Sequence, residues 1–205
     1  MPPGPSPSIR GDLGFAGALL LFVLLTRLPF LQDSFGWDAD AAGNVAAAQA
    51  TAMGGSFDPS RPPGYPVLVA VHAALWPLSP MAINGITALF SAVASAFFFL
   101  IVRDREVPRG WAFLLGVSLA CVPEIYVNST IPMDYVWALA FLLGAWWCAG
   151  RGRAAAAGLL LGLATGCRIT TIVMLAPLAL LLLEPGRRAG AARRVAILAG
   201  VALVV

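Results

Sequence analysis

Two aspartates in a short acidic segment, Asp38 and Asp40, carry the clearest chemical potential in this chain. They precede an Ala-rich run over 41–53, which predicts a helix that Gly54-Gly55 would end. A carboxylate at a helix start is stabilised as the anion. An ionised carboxylate can act as a general base toward an acceptor hydroxyl. Alternatively, Asp40 only caps the helix. Residues two apart do not share a helix face, so one aspartate could cap while the other acts, with Asp40 slightly favoured as the base.

Three arginines, Arg27, Arg61 and Arg168, are candidates for binding a phosphate group. They lie in or beside apolar segments, away from the other arginines. A guanidinium binds phosphate through two parallel hydrogen bonds and stays charged. Arg61 fits best, because Pro62-Pro63 would fix its backbone direction. The alternative is that each arginine pairs with a carboxylate or a lipid headgroup.

A second polar loop is bracketed by Glu124 and Asp134. Asp134 stands at the start of an apolar run, where an ionisable residue is a functional candidate. The alternative is that Asp134 is a helix cap. His72 has apolar neighbours, which favours packing over catalysis.

The composition is that of a polytopic membrane protein. Of 205 residues, 60% are hydrophobic and 11% are charged. The net charge of +3 does not indicate nucleic-acid binding, because the arginines fall in short loops between apolar runs. Three isolated cysteines lack metal or redox spacing. A divalent metal is left open, since an Asp-x-Asp spacing also occurs in metal–nucleotide sites.

These patterns predict an all-α bundle, a single transmembrane module over 1–205. The expected spans lie near 13–31, 83–102, 110–126, 133–149, 154–168, 170–183 and 195–205. An outer loop with interfacial helices is expected over 32–82. The chain ends within an apolar run, so we expect the protein to continue beyond Val205.

Arginine placement decides whether the short segment 65–78 crosses. If it does not, ten of the thirteen arginines share the side of Arg10, as the positive-inside rule requires. The segment is therefore predicted to be interfacial, with a cytoplasmic N-terminus and the acidic loops outside. Gly158, Gly162 and Gly166 recur every four residues, which predicts a face for close helix packing.

Several motifs in order resemble the GT-C superfamily of membrane glycosyltransferases, especially the branch of protein O-mannosyltransferases and lipid A aminoarabinose transferases. They are Arg27-Leu28-Pro29 ending the first span, the acidic loop before an Ala-rich helix, Pro62-Pro63-Gly64-Tyr65-Pro66, a second span opened by Asn84, and Asp134 at a later span start. The aromatic residue usual after the loop aspartate is absent, since Ala42-Gly43 stand there.

The resemblance implies an enzyme that takes a sugar from a polyprenyl-phosphate carrier on the outer face of the plasma membrane. The acceptor would be a lipid, a glycan or a protein. The family's catalytic aspartate matches Asp38 or Asp40, its phosphate-contacting basic residue matches Arg61, and its later loop aspartate matches Asp134. Arginine used without lysine, with Ala-rich spans, favours a bacterial source. The alternative function is a non-catalytic transporter or lipid-binding membrane protein, although no clear internal repeat is visible.

Overall fold

Helices form all the regular structure in the described part of the chain. The computed structural model describes residues 9–31, 34–36, 38–55, 64–183 and 190–205. The α-helices are α1 Ile9–Arg27, α2 Ala39–Ala52, α3 Pro66–Leu75, α4 Pro80–Arg103, α5 Arg109–Ala120, α6 Pro123–Asn128, α7 Tyr135–Gly150, α8 Ala154–Cys167, α9 Leu175–Leu182 and α10 Ala191–Val204. Short 3₁₀ segments occupy Leu28–Phe30 and Ile169–Met174. The predicted all-α class is confirmed for these residues.

Local sequence explains where the central helices begin and break. Ser79 caps α4, where its hydroxyl accepts from the Ala82 amide at 3.2 Å, and Pro80 occupies the first turn. The segment predicted as one span near 110–126 is divided into α5 and α6. Val122 is extended before Pro123, as the residue before a proline prefers, and this interrupts the helix.

The helices pack in two groups, which meet where α4 contacts α7. One core joins α1, α4 and α5 around Leu19, Val23 and Phe99. The other joins α7 to α10 around Leu161, Leu178 and Leu198. The helices of both cores bury mostly Ala, Leu and Gly, which lets them approach closely.

Ion pairs gather at one end of the bundle, which we call the arginine end. Asp12, near the start of α1, accepts from Arg103 Nε at 3.0 Å and from Arg109 Nε at 2.8 Å. Arg151, after α7, pairs with Asp104, after α4. The start of α1 therefore lies beside the ends of α4 and α7, and α1 runs antiparallel to α4.

The opposite end carries those predicted site residues that the structure describes and is called the carboxylate end. Asn84, near the start of α4, donates to the Ser34 carbonyl at 2.8 Å, beyond the end of α1. Because α1 and α4 are antiparallel neighbours, the chain between them returns to the end it left. With ten residues, α3 is about 15 Å long, half of a bilayer's hydrocarbon core of about 30 Å. That 65–78 does not cross a membrane stays a prediction.

Two segments are long and apolar enough to span a membrane, Gly11–Phe30 and Pro80–Arg103. The other apolar helices of the described ranges have 10–17 residues. By length and composition, only the predicted spans near 13–31 and 83–102 therefore correspond to candidate membrane helices in the described residues.

The glycine face predicted on α8 is confirmed as a packing surface. A Cβ added at Gly158 would lie 2.6 Å from the Leu198 carbonyl oxygen of α10. A Cβ at Gly162 would lie 2.7 Å from Cβ of Val205, and one at Gly166 would lie 2.6 Å from Val67 of α3. Side chains at these positions would push the neighbouring helices away.

Candidate functional site

Asp38, and not Asp40, caps the Ala-rich helix. Its Oδ1 accepts from the amides of Asp40 at 2.8 Å and Ala41 at 3.2 Å, and α2 begins at Ala39. The expectation that Asp40 would be the capping residue is corrected, because the helix starts two residues earlier than the pattern indicated. Asp40 lies in the first turn, where the helix dipole still favours its anion.

The two predicted outer loops pack against each other. Asn44, on α2, donates to the Pro132 carbonyl at 3.2 Å. Gly36 approaches Ile131 so closely that a Cβ would lie 2.9 Å from its Cγ2, and its φ of +78° also favours glycine. The first acidic segment is therefore fixed against the segment that leads into α7.

A pocket of about 290 Å³ lies between these loops. Its walls include Asp38, Glu124, Asn128, Val127 and Ile131. Glu124 Oε1 accepts from Asn128 Nδ2 at 3.1 Å, so the amide orients the carboxylate. Two carboxylates from separate loops therefore line one cavity.

Asp134 and Arg168 form an ion pair, with 2.8 Å between Oδ2 and Nη1. Asp134 is 2% exposed, whereas the Arg168 side chain is 32% exposed. Arg168 also lies 4.2 Å from the ring centroid of Tyr135. The Asp134 side chain makes no capping hydrogen bond to α7, so its role is ionic.

Asp40 belongs to the same electrostatic group, because its charge acts on Asp134. The carboxylates repel one another, and Arg168 offsets part of that repulsion. Asp40, Asp134 and Arg168 come from three separate segments. The fold thus brings together three residues that the sequence had proposed separately.

Arg27 is placed differently from Arg168. It is fully buried, and its Nε donates to Ser129 Oγ at 2.7 Å while Nη2 donates to the Ala120 carbonyl at 2.5 Å. Its guanidinium carbon lies 3.8 Å from the ring centroid of Tyr126. These contacts tie α1 to the second loop, and phosphate binding by Arg27 stays a prediction. Arg61 lies outside the described residues.

His72 and Trp137 form a buried aromatic layer. Their ring centroids are 5.4 Å apart with the planes nearly perpendicular, and Trp137 donates to Thr87 Oγ1 at 3.2 Å. His72 is fully buried, and neither ring nitrogen has a hydrogen-bond partner in the described residues. Burial lowers the pKa of His72 from 6.5 to about 4, so the ring is neutral at pH 7. This is packing, as the sequence favoured.

Sequence reasoning missed three residues that hold the loops together. They are Asn44, Tyr126 and Ser129. Tyr126 donates its hydroxyl to the Thr26 carbonyl at 2.7 Å. For Asn44 and Tyr126, the available signal was an isolated polar side chain within an Ala-rich or apolar run, which must find a partner when buried. Ser129 lies in a polar Asn-Ser-Thr run and offered no such signal.

No group of three or more His, Cys, Asp or Glu side chains within the described ranges is arranged to hold a metal ion. Searches for relatives returned nothing: no protein-family model, no curated protein and no solved structure matches this chain.

Proposed function

We propose that this chain belongs to a polytopic membrane glycosyltransferase that moves a sugar from a polyprenyl-phosphate carrier to an acceptor. The reaction would take place at the carboxylate end, on the outer face of a bacterial plasma membrane. One observation carries the proposal: the loop that holds Asp38 and Asp40 packs against the loop that leads to the Asp134–Arg168 ion pair, and Asp38 and Glu124 line the pocket between them.

The membrane orientation follows from the distribution of arginines. The arginine end would face the cytoplasm, which leaves the carboxylate end outside. Asp12 contacts both Arg103 and Arg109 there, so the start of α1 shares the side of the α4–α5 loop. The shorter helices α5, α7 and α8 would cross with their ends in the headgroup region.

The charged groups suit a single displacement. Asp40, as general base, would take the proton of an acceptor hydroxyl while the hydroxyl oxygen attacks the anomeric carbon. The bond from that carbon to the phosphate oxygen breaks, and polyprenyl phosphate leaves with the electron pair. Attack from the opposite face inverts the anomeric centre. Arg168, with its exposed guanidinium edge, and Arg61 would stabilise the phosphate as negative charge develops on it.

Amide substitutions distinguish the role of Asp40 from that of Asp38. Asp40→Asn should lower turnover by about 10²- to 10⁴-fold, the usual contribution of a general base. Asp38→Asn should keep α2 intact, because asparagine is also a good N-cap. The assay is sugar release from a polyprenyl-phosphate donor by the membrane-embedded protein, with Glu106→Gln at the arginine end as the matched amide control.

The result also separates the competing functions. If Asp38→Asn alone loses turnover, Asp38 is the base. If both variants keep normal turnover, Asp134 becomes the next candidate for the base. A wild-type protein that binds the donor but never releases sugar would contradict catalysis and favour the non-catalytic lipid-binding or transport function.

A further inference from the structure

A second pocket, of about 220 Å³, lies at the arginine end, remote from the carboxylate end. Ile101 and Asp104 from the end of α4, Trp147 from α7 and Leu181 from α9 line it, with Arg105 beside them. Its volume is below the range of about 300–1,000 Å³ typical of drug-sized ligands, which suits a headgroup better than a whole molecule.

Among the described residues near this pocket, arginines outnumber carboxylates. Both oxygens of the Asp104 carboxylate accept hydrogen bonds from Arg151, with 3.0 Å between Nη2 and Oδ1. Arg105 and Arg153 make no ion pair with any carboxylate of the described ranges. Arg153 lies 5.9 Å from the ring centroid of Trp147. Arg105 therefore lines the cavity without a carboxylate partner in the described residues, and Arg153 lies near the Trp147 ring of its wall.

The walls combine this charge with apolar and aromatic surface. Ile101 and Leu181 line the cavity, so an occupant meets hydrocarbon as well as guanidinium groups. Trp147 adds an aromatic ring to the same wall.

We propose that this pocket binds the phosphate of an anionic phospholipid headgroup. Arg105 and Arg153 hold the phosphate, Trp147 contacts the glycerol ester region, and the apolar walls contact the start of the acyl chains. The apolar walls favour a lipid over free phosphate. The inference rests on the membrane orientation proposed above, but it does not depend on glycosyl transfer.

The test measures lipid binding to the whole chain in neutral-detergent micelles by native mass spectrometry. Phosphatidylglycerol should bind about 10-fold more tightly than phosphatidylcholine, as expected for two basic residues near an anionic group. Arg105→Gln with Arg153→Gln should abolish that preference. The double lysine variant should keep most of it, which shows that charge matters and that the fold survives.

Arg193→Gln, an exposed arginine of α10 outside the pocket, is the matched control and should leave binding within about 2-fold. Unchanged phosphatidylglycerol preference in the double glutamine variant would overturn the site. Displacement of the lipid by millimolar inorganic phosphate would overturn the lipid assignment. Neither readout involves a sugar donor, so failure here is distinguishable from failure of the proposed transferase.

Discussion

Arg27 and Arg168 lie at the same end of the bundle but differ in how deeply their side chains are buried. Arg27 is enclosed and donates to Ser129 and to a backbone carbonyl. One nitrogen of Arg168 donates to Asp134, and 32% of the Arg168 side chain is exposed. Arg168 is therefore the more accessible of the two side chains.

Arg61 provides the cleaner test of phosphate binding, because removing Arg168 would also strip Asp134 of its counter-ion. Arg61→Ala should weaken donor use by about 10- to 100-fold, since a charge-assisted contact is worth roughly 1.5–3 kcal/mol. Arg61→Lys should lose less, because it keeps the charge but not the fork. The measurement is the dependence of turnover on donor concentration. An alanine variant that folds and has an unchanged KM for the donor would refute the role.

The single histidine should make stability depend on pH. The pKa of His72 is about 4 in the fold and 6.5 unfolded, so the unfolded chain binds more protons between these values. Stability is therefore full above pH 6.5, falls as the pH drops toward 4, and loses on the order of 3 kcal/mol from this group. Thermal unfolding of the detergent-solubilised protein against pH measures it. His72→Phe should flatten the curve between pH 6.5 and 5, and an unchanged slope would contradict the assignment.

The sequence predicted the candidate site residues singly but not their partners. Asp134 and Arg168 are 34 residues apart, and periodicity within a helix carries no information on contacts at that separation. The cap was misplaced for a local reason, since Asp38 and Asp40 are both good capping residues and the choice depends on where α2 starts.

At the scale of elements, apolar runs and glycine spacing were the most informative signals. Helix positions followed the runs, with α4 at Pro80–Arg103 against a predicted 83–102. The break at Val122-Pro123 was less visible, because a proline inside an apolar run can either kink a span or end it. The loop-to-loop hydrogen bond of Asn44 depends on tertiary packing, which the sequence alone does not reveal.

Gly158→Ala should separate α8 from α10. The new methyl would lie 2.6 Å from a backbone carbonyl that cannot rotate away, so we expect a loss of about 1–3 kcal/mol. Gly17→Ala in α1 is the matched control. Nothing lies within 4 Å of its added Cβ, so higher helix propensity should leave stability unchanged or raised by up to about 1 kcal/mol. Thermal unfolding followed by circular dichroism compares them, and equal melting temperatures would contradict the packing argument.

For the molecule as a whole, the decisive property of the described residues is that ion pairs form at both ends of the bundle. Asp12 contacts Arg103 and Arg109 at one end, while Asp134 contacts Arg168 at the other. That these two ends face opposite sides of a membrane, as the arginine positions indicate, stays a prediction.

Cysteine labelling tests the proposed orientation. In a Cys-free background, Leu78→Cys should react with an impermeant thiol reagent from outside, whereas Glu106→Cys should react only after the membrane is opened. Both positions are exposed and lie at opposite ends of α4. Labelling of Glu106→Cys from outside would contradict the proposed orientation.

The pairing of Asp134 with Arg168 also constrains biogenesis. Asp134 precedes α7, and its counter-ion is synthesised only after α8 is complete. If α7 and α8 cross the membrane as proposed, the carboxylate has no partner until both helices have been made. An unpaired charge near hydrocarbon is unfavourable, so α7 and α8 should leave the insertion machinery together as a hairpin. The smallest fragment that inserts stably would then end after Arg168, and not after Gly150.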